Sequence, residues 1–174
     1  DAIEALTSPL HEVRLFALYL LVAWFTKGDE KTREKIARLY LKHTKFINNW
    51  DLVDTSASHI IGAWLEDKPK DLLFKLAASK LLWERRIAIV STFHAIRQGD
   101  EKMTLELAKI LLTDKEDLMH KATGWMLREV GKNCPTGTLE KFLDVHATQM
   151  PRTMLRYAIE RFPEPKRKRY LKMK

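Results

Sequence analysis

The segment around Trp50 and Asp54 has the residue types and spacing that point most directly to chemistry. At about 100° per residue, helical geometry gives an aromatic and apolar stripe formed by Trp50, Val53, Ala57, Ile61 and Trp64. Asp54 lies one turn after Trp50 at the edge of this stripe. This is too far into the helix for its charge to be stabilised by the positive end of the helix dipole. Two interpretations remain open. Either Asp54 is a partly buried partner of an arginine from a neighbouring repeat, or it stands beside an aromatic wall in a groove.

Arg86 is the second candidate, in the segment Trp83–Ile89. On a helix it shares a face with Val90 and Phe93, where a cation is unfavourable unless it meets an anion. One interpretation is an ion pair with Asp54 or another acid. The other is a clamp on a phosphate, which suits the forked guanidinium group.

Trp125 is the third candidate. The core stripe of its helix is predicted to consist of Met119, Ala122, Met126 and Val130. Trp125 falls at the edge of that stripe, beside Leu118 and Lys121. It is either a lid over the core or a platform for a ligand.

The elements that must position these side chains are predicted to be helices. Apolar periodicity is helical nearly throughout, and six glycines and six prolines leave few tight turns for an all-β fold. Ser8 and the Asn48–Asn49 pair are the candidate caps, with Pro9 in a first turn. The predicted helices cover residues 9–25, 29–43, 83–97, 100–112, 115–130, 135–147 and 151–162, with two more that begin near 48 and 67.

These helices fall into pairs that repeat. A cation lies near the start of the first helix in four pairs, at Arg14, Arg86, Lys121 and Arg152, with spacings of 72, 35 and 31 residues. Trp50 lies midway between the first two. A period in the thirties predicts an all-α, HEAT-like helical-repeat solenoid of antiparallel helix pairs with a concave basic face. We expect this superhelix to cover residues 1–163 and to begin late in the array.

Composition and charge narrow the function classes. The net charge is +8, and residues 164–174 hold six Lys or Arg residues and one Glu, a net charge of +5. This basic C-terminal tail is either a solvated end or a source of non-specific phosphate affinity. The longest uncharged run, residues 15–26, is too short to span a membrane. The single Cys134 excludes an internal disulfide and fits a reducing compartment, so we expect a soluble intracellular, cytoplasmic protein.

Other common chemistries lack their residues. The six histidines contain no pair at metal-ligand spacing on a helix, which argues against a zinc site. The chain has no Gly-rich phosphate loop and no Gly-x-Ser-x-Gly segment. We therefore expect neither a metal nor a cofactor.

Three segments together, Trp50–Asp54, Trp83–Ile89 and Gly124–Glu129, resemble the AlkD family of DNA alkylation-repair glycosylases. The resemblance runs from about Ser8 to Phe162, and the stretch from Met150 to Ala158 is similar to the last repeat of that family. The chain departs from the family by lacking its first helices.

The resemblance implies a HEAT-like glycosylase that excises positively charged N3- and N7-alkylpurines from duplex DNA without base flipping. It implies that Asp54 is the catalytic aspartate and that Trp50 and Trp125 flank the lesion sugar. Arg86 would hold the DNA backbone. The cations expected to bind DNA are Arg86, Arg14, Lys121, Arg152 and Arg85. We expect a monomer whose partner is double-stranded DNA with alkylated bases; the alternative is a non-catalytic HEAT-like DNA-binding or protein-scaffold protein.

Overall fold

The computed structural model describes residues 2–173, and every regular element among them is a helix, as predicted for an all-α repeat fold. The chain divides into two compact units, Asp1–His94 and Ala95–Lys174. No helix in residues 2–173 is long and apolar enough to cross a membrane.

The first unit carries two of the candidate segments. Its helices are α1 (Ala2–Leu6), α2 (His11–Lys27), α3 (Glu30–Lys42), α4 (Trp50–Asp54), α5 (Asp71–Ala77), α6 (Leu82–Ser91) and the start of α7 (Phe93–Ile96). A 3-10 turn (Thr44–Phe46) precedes α4, and a π-helical segment (Ser58–Gly62) follows it. The predicted cap at Asn49 is present, since its side chain accepts a hydrogen bond from the Trp50 amide at 2.8 Å.

The predicted helix over residues 83–97 is divided into α6 and α7. Ser91 and Thr92 account for the break, because their hydroxyls donate to the carbonyls of Ile87 and Ile89 at 2.6 and 2.7 Å. Hydroxyls that bond back to the preceding turn compete with the regular helix ladder. The break leaves Arg86 near the middle of α6 and ends that helix before His94.

The core of the first unit forms where α2 packs on α3 and α4, and α4 on α6. Val53, Ala57 and Ile61 are fully buried, in agreement with the predicted stripe. Trp50 differs, because 55% of it is exposed. These three members of the stripe therefore pack in the core, whereas Trp50 at the start of the segment lies at the surface.

The second unit is built on one long helix. Its elements are α8 (Lys102–Leu111), α9 (Asp117–Asn133), α10 (Thr138–His146), α11 (Arg152–Ala158) and α12 (Glu164–Lys172). Helix α9 contacts α8, α10 and α11. Every member of the predicted stripe on α9 is fully buried, namely Met119, Ala122, Met126 and Val130. Burying such side chains stabilises the fold by about 1.5–3 kcal/mol each.

Gly124 lets α11 approach α9 closely. A Cβ at this position would collide with the Met154 carbonyl oxygen and the Tyr157 Cβ. A backbone oxygen cannot move aside as a flexible side chain can, so the site requires glycine. The close contact fixes the part of α9 that carries Trp125.

Three helix starts share one hydrogen-bond pattern. In each, a side-chain oxygen accepts from the backbone amide two residues later, and the same residue's carbonyl accepts from a side chain six residues later. The pairs are Ser8 with Arg14, Ser79 with Arg85, and Asp114 with His120. Arg14 is therefore equivalent to Arg85, and the repeat alignment of Arg14 with Arg86 and Lys121 is wrong by one residue.

The basic C-terminal segment is not a free tail. Residues 164–172 form α12, and Tyr170 is fully buried in the cluster that also holds Leu155 and Ile159. The Tyr170 hydroxyl donates to Asp144 at 2.8 Å, and Arg169 pairs with the same carboxylate at 3.1 Å. Burial of the Tyr170 ring therefore holds α12 against the core, although the helix carries many charged side chains.

We predict that Tyr170→Ala lowers the free energy of unfolding by about 3 kcal/mol, because it leaves a cavity where a whole ring is buried. Urea denaturation measured by circular dichroism gives the loss. Tyr19→Ala is the matched control, since Tyr19 is 52% exposed, and we expect a change within about 0.5 kcal/mol. Equal, small losses in both variants would contradict the docking of α12.

Candidate functional site

Asp54 and Arg86 form a two-pronged ion pair that joins α4 to α6. The Arg86 Nε donates to Asp54 Oδ1 at 2.9 Å, and Nη2 donates to Oδ2 at 2.8 Å. The two side chains are 16% and 6% exposed. Of the two interpretations left open for each residue, the structure contains the ion pair. A bidentate contact of this kind also fixes the orientation of the carboxylate.

The electrostatics of Asp54 combine opposing effects. Burial raises the pKa of the Asp54 carboxyl above its ordinary value, and the hydrogen bonds and charge of Arg86 act to lower the pKa. The nearby charge of Asp51 raises the pKa further. The site therefore holds a desolvated carboxylate next to one cation and one anion, an arrangement typical of functional carboxyl groups.

Trp50 lies one turn before Asp54 at the start of α4. Its indole is 55% exposed, while its neighbours Leu52 and Val53 are fully buried. Helix α4 thus exposes an aromatic side chain at its first residue and carries a largely buried carboxylate one turn later. A flat indole beside a carboxylate is suited to hold a cationic group.

The π-helical segment after α4 brings this region against α6. At Gly62 a Cβ would collide with the Ser91 carbonyl oxygen and the His94 Cβ. Only glycine permits the approach, and π-helical turns are frequent at functional sites. Gly62 therefore helps to hold Asp54 within hydrogen-bond distance of Arg86.

Tyr40 is a site neighbour that the sequence analysis missed. This fully buried side chain on α3 shares a hydrogen bond of 2.9 Å with Ser56, just after α4. Burial and the charge of Asp54 raise the pKa of the Tyr40 hydroxyl well above its ordinary value, so it stays neutral. No motif marks Tyr40, because only the bounds of its helix were predicted.

His11 and Asp51 form a second contact that the sequence analysis missed. The His11 Nε2 and Asp51 Oδ2 atoms are 2.7 Å apart, and they join the first residue of α2 to the first turn of α4. Asp51 also lies in the first turn of α4, where a carboxylate is favoured by the positive end of the helix. The separation of 40 residues explains why spacing gave no signal.

Two of the arginines expected to bind DNA make hydrogen bonds to the backbone of their own turns. Arg14 donates to the carbonyls of Ser8 and Pro9 at 2.8 and 3.1 Å. Arg85 donates in the same way to Ser79 and Lys80. Each guanidinium therefore closes the turn before its own helix.

The remaining predicted site residues lie in the second unit. Trp125 is half-buried on α9, between the buried residues Gly124 and Met126. Lys121 pairs with Asp117 at 2.7 Å in a largely exposed contact. Arg152 is exposed at the start of α11. Asp54, Trp50 and Arg86 thus meet in the first unit, while Trp125, Lys121 and Arg152 belong to the second.

Comparison with known proteins identifies the family. A family model described as "DNA alkylation repair enzyme" matches residues 1–162. The chain belongs to the DNA alkylation repair enzyme family. It is also similar to a solved structure from Enterococcus faecalis, a "Predicted DNA alkylation repair enzyme", with a TM-score of 0.70. At 16% identity over 94% of this chain and 75% of that one, the likeness concerns the fold. No curated protein matches the chain.

Membership in the DNA alkylation repair enzyme family gives the chain a role in alkylation repair, and DNA is the partner that this role suggests. The matched range ends before α12, so the docked basic helix lies outside the family model. Within residues 2–173, no cluster of three or more His, Cys, Asp or Glu side chains is placed to hold a metal ion.

We predict that Arg86→Met lowers the free energy of unfolding by about 3–5 kcal/mol at pH 8, because Asp54 is left desolvated without a partner. Burial raises the pKa of Asp54, and without Arg86 little lowers it. The folded protein then binds a proton more tightly than the unfolded chain, so the loss must shrink as the pH falls towards that raised pKa. Chemical denaturation at pH 8 and pH 5 measures both effects.

Arg38→Met is the matched control for this experiment. Arg38 pairs with Glu34 at 2.6 Å, but the two side chains are 70% and 46% exposed. Exposed pairs of this kind are worth about 1 kcal/mol or less. If Arg86→Met at pH 8 lowers the free energy of unfolding no more than Arg38→Met does, the Asp54–Arg86 pair does not stabilise the fold as a buried ion pair should.

Proposed function

We propose that the chain is a DNA glycosylase that hydrolyses the N-glycosidic bond of positively charged N3- and N7-alkylpurines in duplex DNA. One observation carries the proposal, namely a desolvated Asp54 carboxylate held by Arg86, one turn behind the exposed indole of Trp50. A carboxylate repels phosphates, so DNA binding by itself does not call for one in the interface. Family membership supports the same direction.

The chemistry needs only one carboxylate. A purine alkylated at N3 or N7 already carries a positive charge, so when the C1′–N bond breaks the base leaves neutral with both electrons. The sugar becomes an oxocarbenium-like cation, which a nearby carboxylate stabilises by charge. Glycoside hydrolases that act on neutral leaving groups use a second carboxylic acid to protonate them. Here that step is unnecessary.

Asp54 is the proposed stabiliser of the sugar cation. In a water-poor site a positioned charge lowers a barrier by several kcal/mol, because it needs no reorganisation as the cation develops. Water then attacks C1′, forms the C1′–O bond and releases a proton, which Asp54 or solvent accepts. The fixed orientation of Asp54 supports this role, since both oxygens are set by Arg86.

Arg86 acts chiefly by positioning Asp54 in this proposal. With only 6% of its side chain exposed, it offers little surface to a DNA phosphate. In this proposal, more accessible cations hold the DNA backbone. Arg152 is exposed, and the pair of Lys121 with Asp117 is a largely exposed contact that a phosphate can replace.

Trp50 and Trp125 are the proposed aromatic partners of the lesion sugar. The exposure of Trp50 suits a contact with a cationic sugar through the ring face, worth about 0.5–2 kcal/mol. Trp125 is half-buried on α9. We propose that the lesion stays stacked in the duplex.

A non-catalytic DNA-binding protein is the second candidate function. The observation that favours it is the same ion pair, because both Asp54 oxygens are already engaged by Arg86. A structural ion pair has this form without any catalysis. The candidates differ in one outcome, since a binding protein holds DNA without releasing a base.

We predict that Asp54→Asn slows release of N7-methylguanine from duplex DNA by at least about 100-fold, because the charge that stabilises the sugar cation is lost. Single-turnover base release is the measurement. Asparagine still accepts a hydrogen bond from Arg86 but no longer balances its charge, so the variant is expected to be less stable. Circular dichroism and the dissociation constant for undamaged duplex must show that it is folded and binds DNA at the assay temperature.

Asp29→Asn is the matched control, because Asp29 caps α3 by accepting from Thr32 at 2.9 Å and asparagine caps equally well. Base release by this variant must match the wild type. If Asp54→Asn releases base at the wild-type rate, Asp54 is not catalytic. If the wild type binds the duplex and releases nothing, the binding protein is the better interpretation.

A further inference from the structure

The helix that carries Trp50 and Asp54 is too short to hold its own geometry. Helix α4 has five residues, whereas isolated helices below about 12–15 residues are marginal in water. Its orientation must come from contacts with its neighbours. At its carboxyl end the contact is Asp54 with Arg86 on α6.

The amino end of α4 has its own attachment to α2. The His11 ring bonds to Asp51 at 2.7 Å, and the two side chains are 30% and 25% exposed. Asp51 uses its other oxygen to accept from the Leu52 amide at 2.8 Å. Asp51 thus links the first turn of α4 to the first residue of α2 with one carboxylate.

A second contact lies beside the first. Arg14, one turn after His11 on α2, donates to the Asn48 side-chain oxygen at 3.2 Å. Asn48 precedes the residue that caps α4. The first turn of α2 therefore holds the segment on both sides of Trp50.

The stronger of the two contacts is that of His11. It is made to a carboxylate, and hydrogen bonds to charged groups are stronger than those between neutral groups. It also fixes Asp51, which lies one turn before Asp54 and repels its charge. A change in the position of Asp51 therefore alters both the location of Trp50 and the field at Asp54.

We propose that His11 is a positioning residue, which acts through Asp51 to hold Trp50 and Asp54 in their working arrangement. This inference rests on the proposed function for its kinetic consequence. The attachment itself belongs to the free protein and is measurable without any substrate.

The test compares His11→Phe with His11→Gln. Phenylalanine keeps the ring and removes the hydrogen bond to Asp51, whereas glutamine offers an amide donor in its place. His11→Phe is expected to slow single-turnover release of N7-methylguanine by about 10- to 100-fold, since a misplacement of about 1 Å has effects of this size. The dissociation constant for undamaged duplex is expected to change by less than about twofold.

Rescue distinguishes positioning from simple structural support. His11→Gln is expected to recover most of the rate, because its side-chain amide donates to Asp51 in place of the imidazole. His43→Phe is the matched control, because His43 bonds only to the Leu39 carbonyl in this unit, at 2.8 Å. It is expected to leave the rate unchanged.

The rate of amide hydrogen exchange in the free protein measures how firmly the His11–Asp51 contact holds α4. His11→Phe must speed exchange at Trp50–Asp54 while the core of α3 stays protected. Faster exchange there supports the attachment even if the chain releases no base, so the two proposals fail separately. The proposal is overturned if exchange at α4 is unchanged, or if His11→Phe and His11→Gln lose rate equally.

Discussion

The Asp54 carboxylate leaves water only because the Arg86 guanidinium leaves with it. Burial alone raises the pKa of Asp54 and favours a neutral acid that could stabilise no cation. Two hydrogen bonds from Arg86 oppose this effect and orient both oxygens. The surrounding structure keeps these groups together, since a buried Asp54 carboxylate without Arg86 is a charge without a partner.

That requirement explains the unusual local structure around the pair. Helix α4 ends after five residues, the π-helical segment follows, and Gly62 has no side chain where it meets Ser91 on α6. Each feature weakens regular helix hydrogen bonding or removes packing. Together they allow α4 and α6 to approach closely enough for a bidentate contact. A local loss of regular structure is a cost that functional sites commonly carry.

The sequence predicted the features that depend on local periodicity. The buried stripe of α9 and the cap at Asn49 follow from helix geometry and cap chemistry, which involve neighbours within a few residues. The pair of Asp54 and Arg86 remained one of two interpretations, because the partners lie 32 residues apart and spacing does not report orientation. The resemblance to a known family supplied the roles proposed for these residues, and the family match establishes membership of the DNA alkylation repair enzyme family.

The features that escaped prediction each depend on a single side chain. Arg14 and Arg85 are cations by composition, yet their guanidinium groups close turns on the backbone. The tail is basic by composition, yet Tyr170 fixes it as a helix. Net charge describes a segment as a whole, whereas one buried ring or one carbonyl contact decides where it lies.

The central claim is that Asp54 is a desolvated carboxylate whose charge Arg86 sustains. A carbon-13 NMR titration of the aspartate side-chain carboxyl signals tests it most directly, with Asp54→Asn used to assign the resonance. The account predicts that the pKa of Asp54 lies above the ordinary aspartate value in the wild type and rises further in Arg86→Met. An Asp54 that titrates at the ordinary value in both proteins would contradict the account.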